Sequence, residues 1–467
     1  MKNILHRTLL LITSLVSTTS LLVSCSSNDD AQQFLSKLDR EAEARKQEIL
    51  STPTILDQEK LNTIYYISSE GNDQNDGLTP ETAILSLEHL NSLDLQPGDG
   101  VMFRRGDLWR GQLKAKRGVT YSAYGKGEKP RIYGSPYDAA KVGKWVETET
   151  RNVYMYDGEL PNDIGTLVFN HGQAHAFKVM MIREEDGSTL HIETREPFAS
   201  YRDLKRDLEF YHDYRDEKRI YLCSTEGNPA ERFSSIELLT KGHIVLAASG
   251  ATFDNLCLKY CGSHGIGSGT TKDLTVTNCE LGWIGGSIQS ESAFGRNHPT
   301  RYGNAVEIYG GCENFMVSNC YIYQIYDAAV THQHQGDVQE PLIMRNVTYS
   351  NNRSRIASTR LSISSAARIP SSRIRWRRFS LQTTSCAVQA TAGVSSVPTR
   401  RHLPISSRGA TTPTMQQTSL WLTTSSTAAR ATCSTLLQPR ANRCPRSQTT
   451  PTSSIVVQAP DHGVARA

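Results

Sequence analysis

Between Phe253 and Ser350 one short pattern is written four times: apolar, any, apolar, any, a polar residue or Tyr, then a small or β-branched residue. The copies are Leu256-Cys257-Leu258-Lys259-Tyr260-Cys261, Leu274-Thr275-Val276-Thr277-Asn278-Cys279, Phe315-Met316-Val317-Ser318-Asn319-Cys320 and Leu342-Ile343-Met344-Arg345-Asn346-Val347. Shorter apolar runs lie between them at His264-Gly265-Ile266-Gly267, Ala305-Val306-Glu307-Ile308 and Ala329-Val330-Thr331-His332. Alternation with a period of two predicts strands with one buried face. The last residues of the four copies are 18, 41 and 27 positions apart. One coil of a stacked β-solenoid takes roughly twenty residues or more, so the gaps read as one coil, two coils, and one coil with a long turn. A single coil cannot bury its own apolar face. Stacked coils bury a continuous core and bring like side chains into ladders. The pattern therefore predicts an all-β parallel β-helix.

Ladders account for two residue types without chemistry. Asn278, Asn319 and Asn346 are placed where the chain turns, because Asn tolerates left-handed backbone angles. Cys261, Cys279 and Cys320 follow as small core fillers. The alternative for these cysteines is a zinc site.

The preceding chain reads differently. In residues 1–25, Lys2 and Arg7 precede an apolar run from Leu9 to Leu22, too short for a stable membrane span. Residues 26–61 read as a tether, with a charged helix-forming run from Glu41 to Leu50 that Pro53 ends. Residues 62–136 are short strands cut by Gly, Asn, Asp and Pro turns. Asp73 and Asp76 there read as turn residues, with calcium as the alternative. Residues 137–245 carry aromatic punctuation, including Trp145, Tyr156, Phe169, Phe177 and Phe210. These aromatics are expected to be core residues rather than a sugar-stacking face.

Two stretches carry resemblances. Leu22-Val23-Ser24-Cys25 resembles a bacterial lipobox, and Ser26-Ser27-Asn28-Asp29-Asp30 resembles the acidic export signal of Bacteroidetes surface lipoproteins. That implies lipidation at Cys25 and anchoring to outer-membrane lipid at the cell surface. The second is the order Tyr65-Tyr66-Ile67-Ser68-Ser69-Glu70-Gly71-Asn72-Asp73, Asp76-Gly77-Leu78-Thr79-Pro80, Leu95-Gln96-Pro97-Gly98-Asp99, Phe103-Arg104-Arg105-Gly106-Asp107 and Tyr124-Gly125-Lys126-Gly127-Glu128-Lys129-Pro130. It resembles the N-terminal cap and first coils of right-handed parallel β-helix proteins related to pectate lyases. The resemblance implies a right-handed parallel β-helix with a small β-rich insert over 137–245 and main coils over 246–352. It also implies an extracellular monomer that cleaves or binds acidic polysaccharide.

Functional side chains on such a rod project from a strand face or from long turns. With Val306 and Val330 inward, parity puts Glu307, Tyr309, Thr331 and Gln333 outward. Asp327 sits at the turn before the second of these strands, and the long turn 286–303 adds Glu291, Arg296, His298 and Arg301. His332 and His334 close the group. Three functions compete. A uronate lyase needs a base and a cation for the enolate. Relatives use calcium, which Glu307 and Asp327 would hold, with Arg296 or Arg301 as base and His332 beside them. A hydrolase needs two carboxylates flanking the bond, again Glu307 and Asp327. A glycan-binding lipoprotein needs only a surface such as Tyr309, Gln333 and His334. The lyase is the leading expectation.

Past Asn352 the composition changes. Residues 353–467 hold 16 Arg, no Lys, no Glu, no Tyr and one acidic residue, Asp461. With 16 of the 51 basic and one of the 47 acidic residues in the tail, residues 1–352 carry a net charge of −11. The overall +4 therefore argues for no nucleic-acid partner. The tail is expected to be out of frame, with a disordered basic tail as the alternative. Read one base earlier, Thr424-Ser425-Ser426-Thr427-Ala428 and Thr452-Ser453-Ser454-Ile455-Val456, 28 positions apart, both recover turn-and-strand vocabulary. A chain stopped mid-rod would present an open strand edge that invites aggregation. Seven of the ten cysteines precede the tail and form no obvious paired framework.

Overall fold

The computed structural model describes residues 32–33, 36–54, 57–292, 298–334, 342–356, 374–382, 385–388 and 454–457. The chain divides after Ser51 into two units. The first contains a helix over residues 36–50. The second is built on three parallel sheets.

Each coil visits the three sheets in turn. The first sheet stacks Ile64–Ile67, Gly100–Arg104, Thr120–Tyr124, Thr252–Asp254, Thr275–Thr277, Cys312–Ser318, Leu342–Ser350 and Ile374–Gln382. The second stacks Leu108–Arg110, Arg131–Tyr133, Cys257–Cys261, Glu280–Ile284, Tyr321–Ile325, Arg353–Ile356 and Ser385–Val388. The third stacks Leu113–Lys114, Val245–Leu246, Ile266–Ser268, Val306–Tyr309 and Val330–Gln333. All these neighbours are parallel, and the fold is the parallel β-helix that the alternation predicts. Its core is built of ladders. In the first sheet Val101, Tyr121, Phe253, Val276, Val317 and Tyr349 are register partners and all are buried. In the third, Leu113, Val245, Ile266, Val306 and Val330 do the same. Each such side chain contributes about 1.5–3 kcal/mol of burial. The N-terminal end is covered by the short helix Leu87–Ser92, whose Leu87 and Leu90 are buried.

The register differs from the sequence reading at two of the four repeat copies. Asp254 pairs with Thr277, Thr277 with Ser318 and Ser318 with Ser350. The turn asparagines in one column are thus Asn255, Asn278, Asn319 and Asn351, all at positive φ of 52–57°. Their spacings are 23, 41 and 32. Asn278 Nδ2 donates to Asp254 Oδ1 at 2.6 Å, and the Asn319 amide donates to Asn278 Oδ1. Asn346 belongs to another column: its Nδ2 donates to Asn314 Oδ1 at 2.8 Å, and Asn314 Nδ2 donates to Asp273 Oδ1 at 2.7 Å. The gap of 41 is one coil, not two. Its extra length is a hairpin of Ser287–Ser290 against Thr300–Tyr302. Cys279 and Cys320 share a column at the asparagine turn, whereas Cys261 pairs with Ile284 in the second sheet. All three are buried thiols, as core fillers should be.

The insert leaves the rod between Arg131–Tyr133 and Val245–Leu246, at the corner from the second sheet to the third. It forms its own, largely antiparallel, sheets, one joining Ile164–Phe169 to Ala174–His175 and Ile236–Thr240. Trp145, Tyr156, Phe169 and Phe210 lie in its separate core; Phe177 is exposed. Asp73 and Asp76 are turn residues. Asp73 Oδ1 accepts the Leu85 and Ser86 N–H groups, and Asp76 Oδ1 accepts the Leu78 N–H and the Thr82 hydroxyl.

Beyond Asn352 the strands 353–356, 374–382 and 385–388 extend the first two sheets, although the sequence pattern was expected to stop. Ser454–Val457 pairs antiparallel to the outermost of them, along Phe379–Gln382. The lipobox with Cys25, and most of the tail, lie outside the described residues. Among the described residues no helix is long and apolar enough to cross a membrane.

Candidate active site on the third sheet

The third sheet carries the candidate site on its outer face. Register pairs Lys114, Leu246, Gly267, Glu307 and Thr331 in one outward column, and Tyr309 with Gln333 in the next. Glu307 points away from the rod's core, yet only 5% of its surface is exposed. Its cover comes from the turn two residues ahead of each strand. Those positions hold His243, His264 and Asn304 on successive coils.

Asn304 is fixed by its two ends. Its Oδ1 accepts the Ala328 N–H at 2.8 Å, so its Nδ2 faces Glu307 and donates to Oε2. Gln333 Nε2 donates to Oε1 at 3.3 Å. His264 Nδ1 lies 3.0 Å from Glu307 Oε2 and also accepts the Asn304 backbone N–H at 3.0 Å. A nitrogen that accepts that N–H carries no proton of its own. Burial keeps the His264 ring neutral, with its pKa pushed down to about 4. An acceptor nitrogen facing a carboxylate would repel it. A proton on Glu307 would relieve that repulsion. Burial raises the Glu307 pKa, and the Asn304 and Gln333 donors offset only part of that.

Around this carboxyl stand other groups. The ring of His243 lies 5.1 Å from that of His264. Tyr302, at the end of the hairpin, meets the His264 ring edge-on at 5.1 Å and shares a 2.7 Å hydrogen bond with Ser263 Oγ. Tyr309 is 43% exposed, and its ring lies 5.1 Å from that of His334. Asp327 is half-buried on the next coil; its N–H donates to Gly303 O. Asn304 links the two carboxyl positions, touching Glu307 with one end and the residue after Asp327 with the other.

Glu307, Tyr309, Gln333 and His334 are thus brought together, and Asp327 is one coil away at the adjoining turn. Other expected members are placed elsewhere. His332 pairs with Ile308 and points into the core, where its Nδ1 lies 2.7 Å from the Tyr349 hydroxyl. The parity that sends Gln333 outward sends His332 inward. Arg301 is held by backbone carbonyls, donating to Gly286 O at 2.5 Å and Gly165 O at 2.8 Å, with its guanidinium 4.5 Å over Tyr326. It therefore anchors the hairpin to the insert and is not placed as a base. Arg296 lies outside the described residues. Calcium does not suit this site. It takes six to eight oxygens, whereas Glu307 is surrounded by amide donors and an imidazole. Among the described residues no group of three or more His, Cys, Asp or Glu gathers as a metal site.

The sequence reading missed His243, His264, Asn304 and Tyr302. A signal was present: two histidines 21 residues apart, each two positions before an apolar strand residue, at one coil's spacing.

No known protein family's model matches the chain, and no curated protein is similar to it. Solved structures are loosely similar. XylC in complex with xylose is 13% identical with a TM-score of 0.35, covering 63% of this chain and 57% of that one. A chain described as a glycoside hydrolase is 9% identical with a TM-score of 0.33, covering 64% and 88%. A GH136 lacto-N-biosidase from Eubacterium ramulus is 15% identical with a TM-score of 0.29, covering 70% and 55%. The chain thus spans little more than half of the first and third. The strand register, not these likenesses, establishes the fold.

Proposed function

We propose that this protein is a glycoside hydrolase whose general acid is Glu307. The observation that carries the reading is the burial of the Glu307 carboxyl against the neutral His264 ring, with Nδ1 3.0 Å from Oε2 and burial raising the Glu307 pKa. A buried carboxylic acid that keeps its proton is suited to protonate a leaving-group oxygen. Asp327, at the neighbouring turn, is the second carboxyl, acting as base or nucleophile. Tyr309 offers an exposed ring for a sugar to stack on. The resemblance of the cap and first coils points to a polysaccharide substrate, and the amide-lined surround of Glu307 favours hydrolysis over elimination. A lyase would need a cation at the enolate and a free base. Calcium lacks its oxygens here and Arg301 is committed.

The test is product analysis on a panel of soluble polysaccharides with the full chain. New reducing ends without new ultraviolet absorbance support hydrolysis. Unsaturated ends would show elimination and defeat the reading. The lipid anchor at Cys25 remains part of the proposal: labelled fatty acid should enter the wild-type chain in cells and not the Cys25→Ala variant.

A further inference from the structure

The outward column beside Glu307 has one gap. Leu246 and Thr331 fill their positions with side chains, but Gly267, the direct register partner of Glu307, has none. The space is taken from the side. A Cβ built on Gly267 would come 2.7 Å from His243 Cδ2 and 2.9 Å from its Nε2. The His243 ring therefore lies in the slot that Gly267 leaves, flush with the strand face. It is half-exposed, and its buried Nδ1 has no hydrogen-bond partner among the described residues. Neither a core histidine nor a solvated one looks like this. Burial and the neighbouring His264 hold the ring neutral, with its pKa down at about 4.

The charges nearby matter as much. His264 is neutral, burial disfavours a charge on Glu307, and Asn304 and Gln333 are amides. The guanidinium of Arg301 is spent on two carbonyls and the Tyr326 ring. Along the column Lys114 stands two strands from Gly267 and three from Glu307, about 10 and 14 Å at the usual strand spacing. A uronate carboxylate bound beside Glu307 would lose water and find no cation from these groups. A hydroxymethyl or hydroxyl group there loses little and has a neutral imidazole to meet.

We propose that His243 is a specificity-determining residue: its uncharged side chain, seated over Gly267 beside Glu307, makes the adjoining subsite take an uncharged sugar in preference to a uronate. This rests on the hydrolase reading for the location of the bond, but binding alone tests it. Glucan, galactan and mannan oligosaccharides are each paired with their C6-carboxylated counterparts. Binding to the full chain bearing Glu307→Gln is measured by calorimetry. The uncharged member of at least one pair should bind more than about tenfold tighter than its uronate. His243→Gln should keep that preference, and His243→Lys should abolish or invert it. Gly267→Ala, whose methyl displaces the ring, should weaken the uncharged ligand. Both His243 variants change a half-exposed side chain, so they report even where Gly267→Ala fails to fold.

Tighter binding of the uronates, binding of neither member in any pair, or an unchanged preference in His243→Lys each overturns the proposal. Hydrolysis is read separately from reducing ends with the wild-type chain. Uncharged oligosaccharide bound without cleavage would keep this inference and defeat the hydrolase reading.

Discussion

One coil carries two outward-facing glutamates with opposite fates. Glu280 stands on the second sheet and Glu307 on the third, both largely buried. Lys259 Nζ lies 2.6 Å from Glu280 Oε1, and the Tyr323 hydroxyl donates to the same oxygen at 2.9 Å. Burial alone would raise the pKa of Glu280, but the Lys259 charge and these hydrogen bonds lower it instead. Glu307 has comparable cover and no cation against it among the described residues, and burial raises its pKa. Glycine plays opposite parts as well. Gly282 makes room for the Tyr323 ring that closes over Glu280, and Gly267 makes room for the half-exposed His243 beside Glu307. A counter-charge lowers the pKa of a buried carboxyl, and burial without one raises it.

The sharpest way to break this contrast is to neutralise each glutamate. Glu307→Gln keeps the shape and the Asn304 contact but has no proton to give. Hydrolysis should fall by about 10²–10⁴-fold, with the melting transition intact. Glu280→Gln should leave turnover within a few-fold. Activity retained in Glu307→Gln and lost in Glu280→Gln would reverse the assignment.

A second, somewhat smaller, effect concerns the wall of the site. Lys178 Nζ meets Asp163 Oδ1 at 2.5 Å, and Asp163 Oδ2 accepts the Ile288 N–H of the hairpin at 2.6 Å. Burial opposes the charge on Asp163, yet Lys178 holds its pKa down at about 2. Lys178→Met leaves that carboxylate buried without its cation and should cost about 3–5 kcal/mol in chemical denaturation. By comparison, Lys259→Met should cost about 3 kcal/mol, because the Tyr323 donor remains for Glu280.

The pH dependence sharpens the comparison further. The lowered pKa of Glu280 contributes stability above the ordinary glutamate value of 4.5, lost as pH falls through the folded-state value. The raised pKa of Glu307 contributes stability below 4.5, lost as pH rises through its folded-state value. The melting penalty of Glu280→Gln should therefore shrink on acidification. Glu307→Gln should gain on wild type as pH rises, while wild-type activity falls on the same alkaline limb. Parallel profiles for the two variants would refute the contrast. Smallest of all, Asn319→Ala should cost about 1–2 kcal/mol, because alanine is strained at φ 52° and cannot continue the amide ladder. Resequencing the coding DNA around the codon for Asn352 tests the frame of the tail independently.

Much of the rod was legible. Alternation marked Val276, Val317 and Val306 as inward, and parity placed Glu307, Tyr309 and Gln333 outward. The asparagine turns were recognised by type. Their alignment was not, because the pattern of Leu256–Cys261 matches that of Leu274–Cys279 equally well in the wrong register. Only strand pairing reveals that Asn255 and Asn351 complete the column. The same ambiguity made one coil with a hairpin look like two coils.

The sequence by itself determined the stacked parallel β-helix and the parity that sends Glu307, Tyr309 and Gln333 outward, because those follow from side-chain alternation within one segment. Only the tertiary structure decided the chemistry of the site. The surround of Glu307 is made by His264 from the coil before, Asn304 from the preceding turn and Gln333 from the coil after. The slot beside it depends on His243 crossing over Gly267. A carboxyl's charge is set by whatever surrounds it in space, and coils of unequal length bring that surround from positions no fixed spacing can name.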